Sequence, residues 1–155
     1  GVRTGDLMLM ESDPRVGHDG YKPYRCWPAQ DFPTPAVASL LPGTRILKVL
    51  PPKDGSMKLG TYGHWIAQVS GRSAFWQGVD YLPEQLYLDA CNLEGFADTE
   101  TGTYELETLS PSWFLTKGES RQWTVRWRLL DFPDQVQTAG DMATFLSRQT
   151  GGQAQ

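Results

Sequence analysis

Glu105 and Glu107 stand two residues apart in Thr103-Tyr104-Glu105-Leu106-Glu107-Thr108-Leu109, where apolar and charged residues alternate. On a β-strand that spacing sends both carboxylates to one face, about 7 Å apart, while Tyr104, Leu106 and Thr108 point the other way. A carboxylate pair can take and return protons, provided its pKa is tuned and a partner acid lies within hydrogen-bond reach. The chain has two histidines to serve as that acid. His64 lies between Gly63 and Trp65 at the start of a strand-like run, and His18 lies in Gly17-His18-Asp19-Gly20, a loop sequence. Around them Lys58, Arg126 and Arg128 offer cationic contacts for hydroxyl or acid groups. Trp27, Trp65, Trp76 and Trp113 offer flat faces of the kind on which sugar rings stack. The plainer alternative is that Glu105 and Glu107 decorate a solvated sheet face, paired across strands with Arg126 or Arg128.

The elements that must position these groups are mostly short strands. Leu7-Met8-Leu9-Met10 is an apolar run suited to a buried strand. Residues 12–43 contain Pro14, Pro23, Pro28, Pro33, Pro35 and Pro42, which excludes a central strand or a helix interior. The same stretch holds Tyr21, Tyr24, Trp27 and Phe32, so it reads as a long loop that packs over the core. Strands are predicted at 44–50, at 64–69 and 74–79 as a hairpin around Ser70-Gly71-Arg72, at 85–90, and at 103–109. The strongest alternation is Gln122–Leu130 (QWTVRWRLL), which predicts Trp123, Val125, Trp127 and Leu129 on a core face and Arg126 and Arg128 on the other. One helix is predicted, over 141–149, with Asp141 as N-cap and Gly151-Gly152 as the stop. These elements describe one domain over 1–155: an all-β, antiparallel β-sandwich with one short C-terminal helix.

Composition narrows the functional classes. Among 155 residues 39% are hydrophobic and 21% charged, as in globular domains, and the net charge is −4. No Lys/Arg cluster is available to follow a phosphate backbone, which argues against nucleic acid. No apolar run approaches the roughly 20 residues that span a bilayer, and an acidic surface does not favour an anionic membrane. The chain opens on Gly1 without a signal peptide, which suggests processing or a piece of a longer protein and leaves its compartment and oligomeric state open. Cys26 and Cys91 form at most one bridge and read otherwise as two unpaired thiols, and neither they nor the histidines have the spacing of a metal site.

From Lys58 onward the order of features resembles the C-terminal half of the galactose mutarotase-like (aldose epimerase) superfamily. Lys58-Leu59-Gly60 followed by His64-Trp65-Ile66-Ala67 is similar to its "K-I-G…W-x-A" strand pair. Phe75-Trp76 and Leu86-Tyr87-Leu88-Asp89 sit where those proteins place the next strands. The run Tyr104 to Pro111, then Leu115-Thr116-Lys117-Gly118-Glu119-Ser120 and the aromatic strand Trp123–Trp127, resembles the family ending, with Lys117 in place of the usual Pro. The resemblance implies a supersandwich-like fold and acid–base chemistry at a sugar's anomeric centre. Glu105 or Glu107 would be the general base, His64 the acid, and Lys58, Trp65, Trp76, Arg126 and Arg128 substrate contacts. Such chemistry implies no cofactor and no metal. The family's N-terminal half, with its catalytic histidines, has no counterpart here, so weak or absent epimerase activity is expected. A non-catalytic binding or interaction module is the alternative.

Overall fold

The computed structural model of the chain describes residues 5–13, 24–27 and 38–150. His18, Tyr21, Phe32 and most of the proline-rich stretch lie outside the described residues, as does the Gly151-Gly152 stop. The rest forms a two-sheet antiparallel β-sandwich with one helix. The strands are β1 (Leu7–Glu11), β2 (Arg25–Trp27), β3 (Ala38–Leu40), β4 (Ile46–Val49), β5 (Ser56–Thr61), β6 (Trp65–Ser70), β7 (Ser73–Gly78), β8 (Leu93–Asp98), β9 (Thr103–Thr108) and β10 (Arg126–Asp131), and the helix is α1 (Ala139–Ser147). The larger sheet runs β10-β7-β6-β1-β4-β3 and the smaller β2-β5-β8-β9.

The apolar run of β1 becomes a central strand because both its faces are covered. Met8 and Met10 enter the core between the sheets with Leu47, Val49, Leu59, Ile66 and Leu93. Leu9 points the other way, into a second core with Trp65, Ala67, Trp76, Phe132, Ala143 and Leu146. A strand buried on both faces reads as continuous hydrophobicity, not alternation. The second core is closed by α1. Its cap is Thr138, not Asp141: Thr138 accepts from the Asp141 backbone N–H while the Asp141 carboxylate accepts from the Thr138 N–H. The acidic residue is the N3 half of a capping box, which is why it resembled a cap in sequence.

The described strands of the proline-rich stretch lie at sheet margins. β2 and β3 are three residues each and form the outer strands of the smaller and larger sheets. The strand expected at 85–90 is replaced by turns, with Ala90 at φ 53°. The residue buried there is Tyr87, not Leu86 or Leu88, which are exposed. Tyr87 packs on Tyr62 and Tyr81, so the leucine alternation had no core to face. In its place β8 pairs β5 with β9. The Gly95 within it masks the strand in sequence, since glycine weakens strands unless another chain approaches closely. It does here: a Cβ on Gly95 would lie 2.8 Å from Met8 Sδ across the sandwich.

The most consequential departure is the last strand. Trp123 and Val125 pack on the inter-sheet core as expected, but they precede the strand, which starts at Arg126. Trp127 and Leu129, expected in the core, are 69% and 85% exposed. The smaller sheet ends at β9, which lies over β6 and β7, and no described residue extends it over β10.

Candidate functional site

The side chains expected to share one site divide between two places. On the smaller sheet, Leu59, Leu93, Ala97 and Leu106 face inward. Alternation therefore puts Trp27, Lys58, Glu94, Glu105 and Glu107 on the outer face. Glu94 stands directly opposite Glu107 across β8 and β9, a pairing that like charge disfavours. Lys58 resolves it. Its Nζ lies 2.7 Å from Glu94 Oε2 and 3.0 Å from Glu107 Oε1, and 5.6 Å from the centroid of the Trp27 ring. Arg25 covers the same ring at 4.7 Å. Glu94 is fully buried, and Cys91 Sγ donates to its Oε1 at 3.2 Å. Burial raises the Glu94 pKa, against the pull of Lys58 and Cys91. Burial also opposes the Lys58 charge, but the two carboxylates prevail and hold its pKa above the ordinary value. Burial and the Glu94 carboxylate push the Cys91 thiol up, so it is a poor nucleophile. Glu105 is exposed, and neither it nor Glu107 pairs with Arg126 or Arg128.

His64 is elsewhere, at the mouth of a cleft between α1 and the strand ends of the larger sheet. The cleft has a volume of about 700 Å³, and its wall includes Glu11, Thr44, Arg45, His64, Ser147 and Arg148. Glu11 ends β1, next to β6, and its Oε2 accepts from the His64 backbone N–H at 2.8 Å and lies 3.0 Å from His64 Nδ1. Arg45 approaches the other Glu11 oxygen at 3.9 Å. The bond to Glu11 raises the His64 pKa despite partial burial. Burial alone would raise Glu11, but its bonds to His64 outweigh that and lower it. The pair is therefore biased toward imidazolium and carboxylate. Nδ1 is engaged by Glu11, and the ring is braced edge-on by Tyr81 at 5.6 Å.

The remaining candidates are structural in position. Trp65 touches the cleft wall but is buried in the α1-side core, and Trp76 is 1% exposed beneath the Arg128 guanidinium, 5.5 Å away. Gly78 exists for that ring, since a Cβ there would lie 2.0 Å from it. Arg128 also donates to Gln149 at 2.9 Å, and Arg126 is paired with Asp80. Trp113 stacks edge-on against Trp123 at 6.2 Å. Cys26 and Cys91 are both buried, and no disulfide joins them. Among the described residues no three His, Cys, Asp or Glu side chains are placed to hold a metal ion, and no helix is long and apolar enough to cross a membrane.

Glu11, Arg45, Arg148 and Glu94 were not singled out from sequence. Glu11 and His64 are 53 positions apart, and only the β1–β6 pairing joins them. Glu94 lies in the strand that Gly95 obscured. Comparison of the chain with protein family models, with curated proteins and with solved structures yields no match.

Proposed function

We propose that this protein is a carbohydrate-binding β-sandwich whose ligand lies in the cleft beside α1, with His64 as its acid–base group. The observation that carries the reading is the His64–Glu11 pair at the mouth of the cleft. Its size falls within the roughly 300–1,000 Å³ of small-molecule sites. The hydroxyls of Thr44, Thr144, Ser147 and Thr150 donate to backbone carbonyls of their own turns, and their remaining lone pairs can accept from the hydroxyls of a polyhydroxylated ligand. Ring opening at an anomeric carbon needs two groups. An acid protonates the ring oxygen as its bond to C1 breaks, and a base takes the anomeric hydroxyl proton. His64 can supply the first role, but the nearest base, Glu11, is already engaged by His64. Binding with little turnover is the expected behaviour.

Titration calorimetry with galactose and glucose tests this, using His64→Ala and the double variant Glu105→Gln/Glu107→Gln. Binding that weakens in the first and persists in the second supports the cleft. Loss in the double variant alone moves the site to the smaller sheet, and no binding of any sugar by the parent overturns the reading.

A second reading, a non-catalytic interaction module, is favoured by β10. Phe132 N–H donates to Arg72 O, and the β7–β10 register continues from there. Antiparallel alternation then turns the backbone groups of Trp127 and Leu129 away from β7, at an outer edge whose side chains are also exposed and apolar.

A further inference from the structure

The cleft beside α1 carries an excess of positive charge on a protein whose net charge is −4. Its lining contains the guanidinium groups of Arg45 and Arg148, the His64 imidazole and a single carboxylate, Glu11. Arg45 makes one long ion pair, 3.9 Å from Glu11 with its side chain 60% exposed, and Arg148, exposed at the C-cap of α1, makes none among the described residues. The other acid near His64, Asp80, is held by Arg126. Arg45 comes from the β3–β4 turn and Arg148 from the end of α1, and Thr44, Thr144 and Ser147 line the same cleft.

We infer that the cleft takes an acidic sugar, a hexuronate, with its carboxylate received by Arg45 and Arg148 and its hydroxyls by the threonine and serine side chains and His64. The inference rests on the carbohydrate reading above and narrows its ligand class. A planar carboxylate matches the guanidinium fork, and charge-assisted bonds of this kind are about twice as strong as neutral ones. The shift of His64 toward its cationic form acts in the same direction. Glu11 remains engaged by His64 and does not confront the incoming anion unscreened.

The test is titration calorimetry at low salt with galacturonate, glucuronate, galactose, glucose, acetate and inorganic phosphate. The uronates should bind about ten-fold more tightly than the matching neutral sugars, and added salt should erode that preference. Arg45→Gln/Arg148→Gln should bring uronate affinity down to the level the parent shows for neutral sugars. Both substitutions are at exposed positions, so an unchanged melting temperature verifies the fold. Neutral sugars binding as well as uronates overturns the acidic-sugar inference and leaves the carbohydrate reading standing. Acetate or phosphate binding as tightly as a uronate overturns it too, since the cleft would then recognise the anion without the sugar. No binding of any sugar, neutral or acidic, removes both.

Discussion

The His64–Glu11 pair ties folding stability to pH in a defined window. Glu11 is lowered from its ordinary 4.5, so its contribution is present above that value and is lost as pH falls through the folded pKa. His64 is raised from 6.5, so its contribution is full below that value and is lost as pH rises through the folded pKa. The two overlap between 4.5 and 6.5. His64 is half exposed, so solvent screening limits the effect to about 0.5 kcal/mol. Urea unfolding across a pH series should show His64→Ala losing most relative to the parent near pH 5.5 and markedly less near pH 8.5. An equal loss at both would mean that the pair carries no charge coupling.

At the scale of elements, Lys58 is a clamp across three strands. It joins β5 to Glu94 of β8 and Glu107 of β9. Lys58→Ala leaves Glu94 buried opposite another carboxylate, which should cost about 2 kcal/mol once the partial exposure of Lys58 is allowed for. Adding Glu94→Gln should restore part of that stability, because the buried charge is then gone. Denaturant midpoints check both, and a double variant less stable than the single would contradict the ion-pair account. β10 yields the opposite expectation. Replacing Leu129, 85% exposed, with Thr should change stability by no more than about 0.5 kcal/mol, whereas a core leucine so truncated would cost about 2 kcal/mol or more. A large loss would mean that β10 is covered in solution, and light scattering on the parent would show whether a second copy covers it.

For the whole molecule, the proposed binding cleft lies apart from the glutamates expected to act as base. His64 and the glutamates expected to work with it have no partner in common, with His64 beside α1 and Glu107 on the outer face of the smaller sheet. Polarimetry on fresh α-glucose or α-galactose should therefore show little or no rate enhancement by the chain. A substantial enhancement abolished by His64→Ala would show that a base reaches the cleft after all.

The fold class was legible in the residues because it follows from local periodicity. The Leu7–Met10 run, the hairpin about Gly71 and the Glu105/Glu107 strand each carry a period of two or a turn signal that any sheet would use. Leu86/Leu88 and Trp127/Leu129 carry the same period, yet no described residue buries them. Alternation says which residues share a face, and only the packing of sheet on sheet says whether that face is covered. The halves of the candidate site differ for the same reason. Glu105 and Glu107 were visible as a pair because they are neighbours in one strand. Glu11, Arg45 and Arg148 come to line one cleft with His64 only through strand order and the docking of α1, which no local pattern encodes. Local sequence thus determined a β-sandwich with one closing helix. Tertiary structure decided where its charges meet, because a site is made of contacts between residues far apart in the chain.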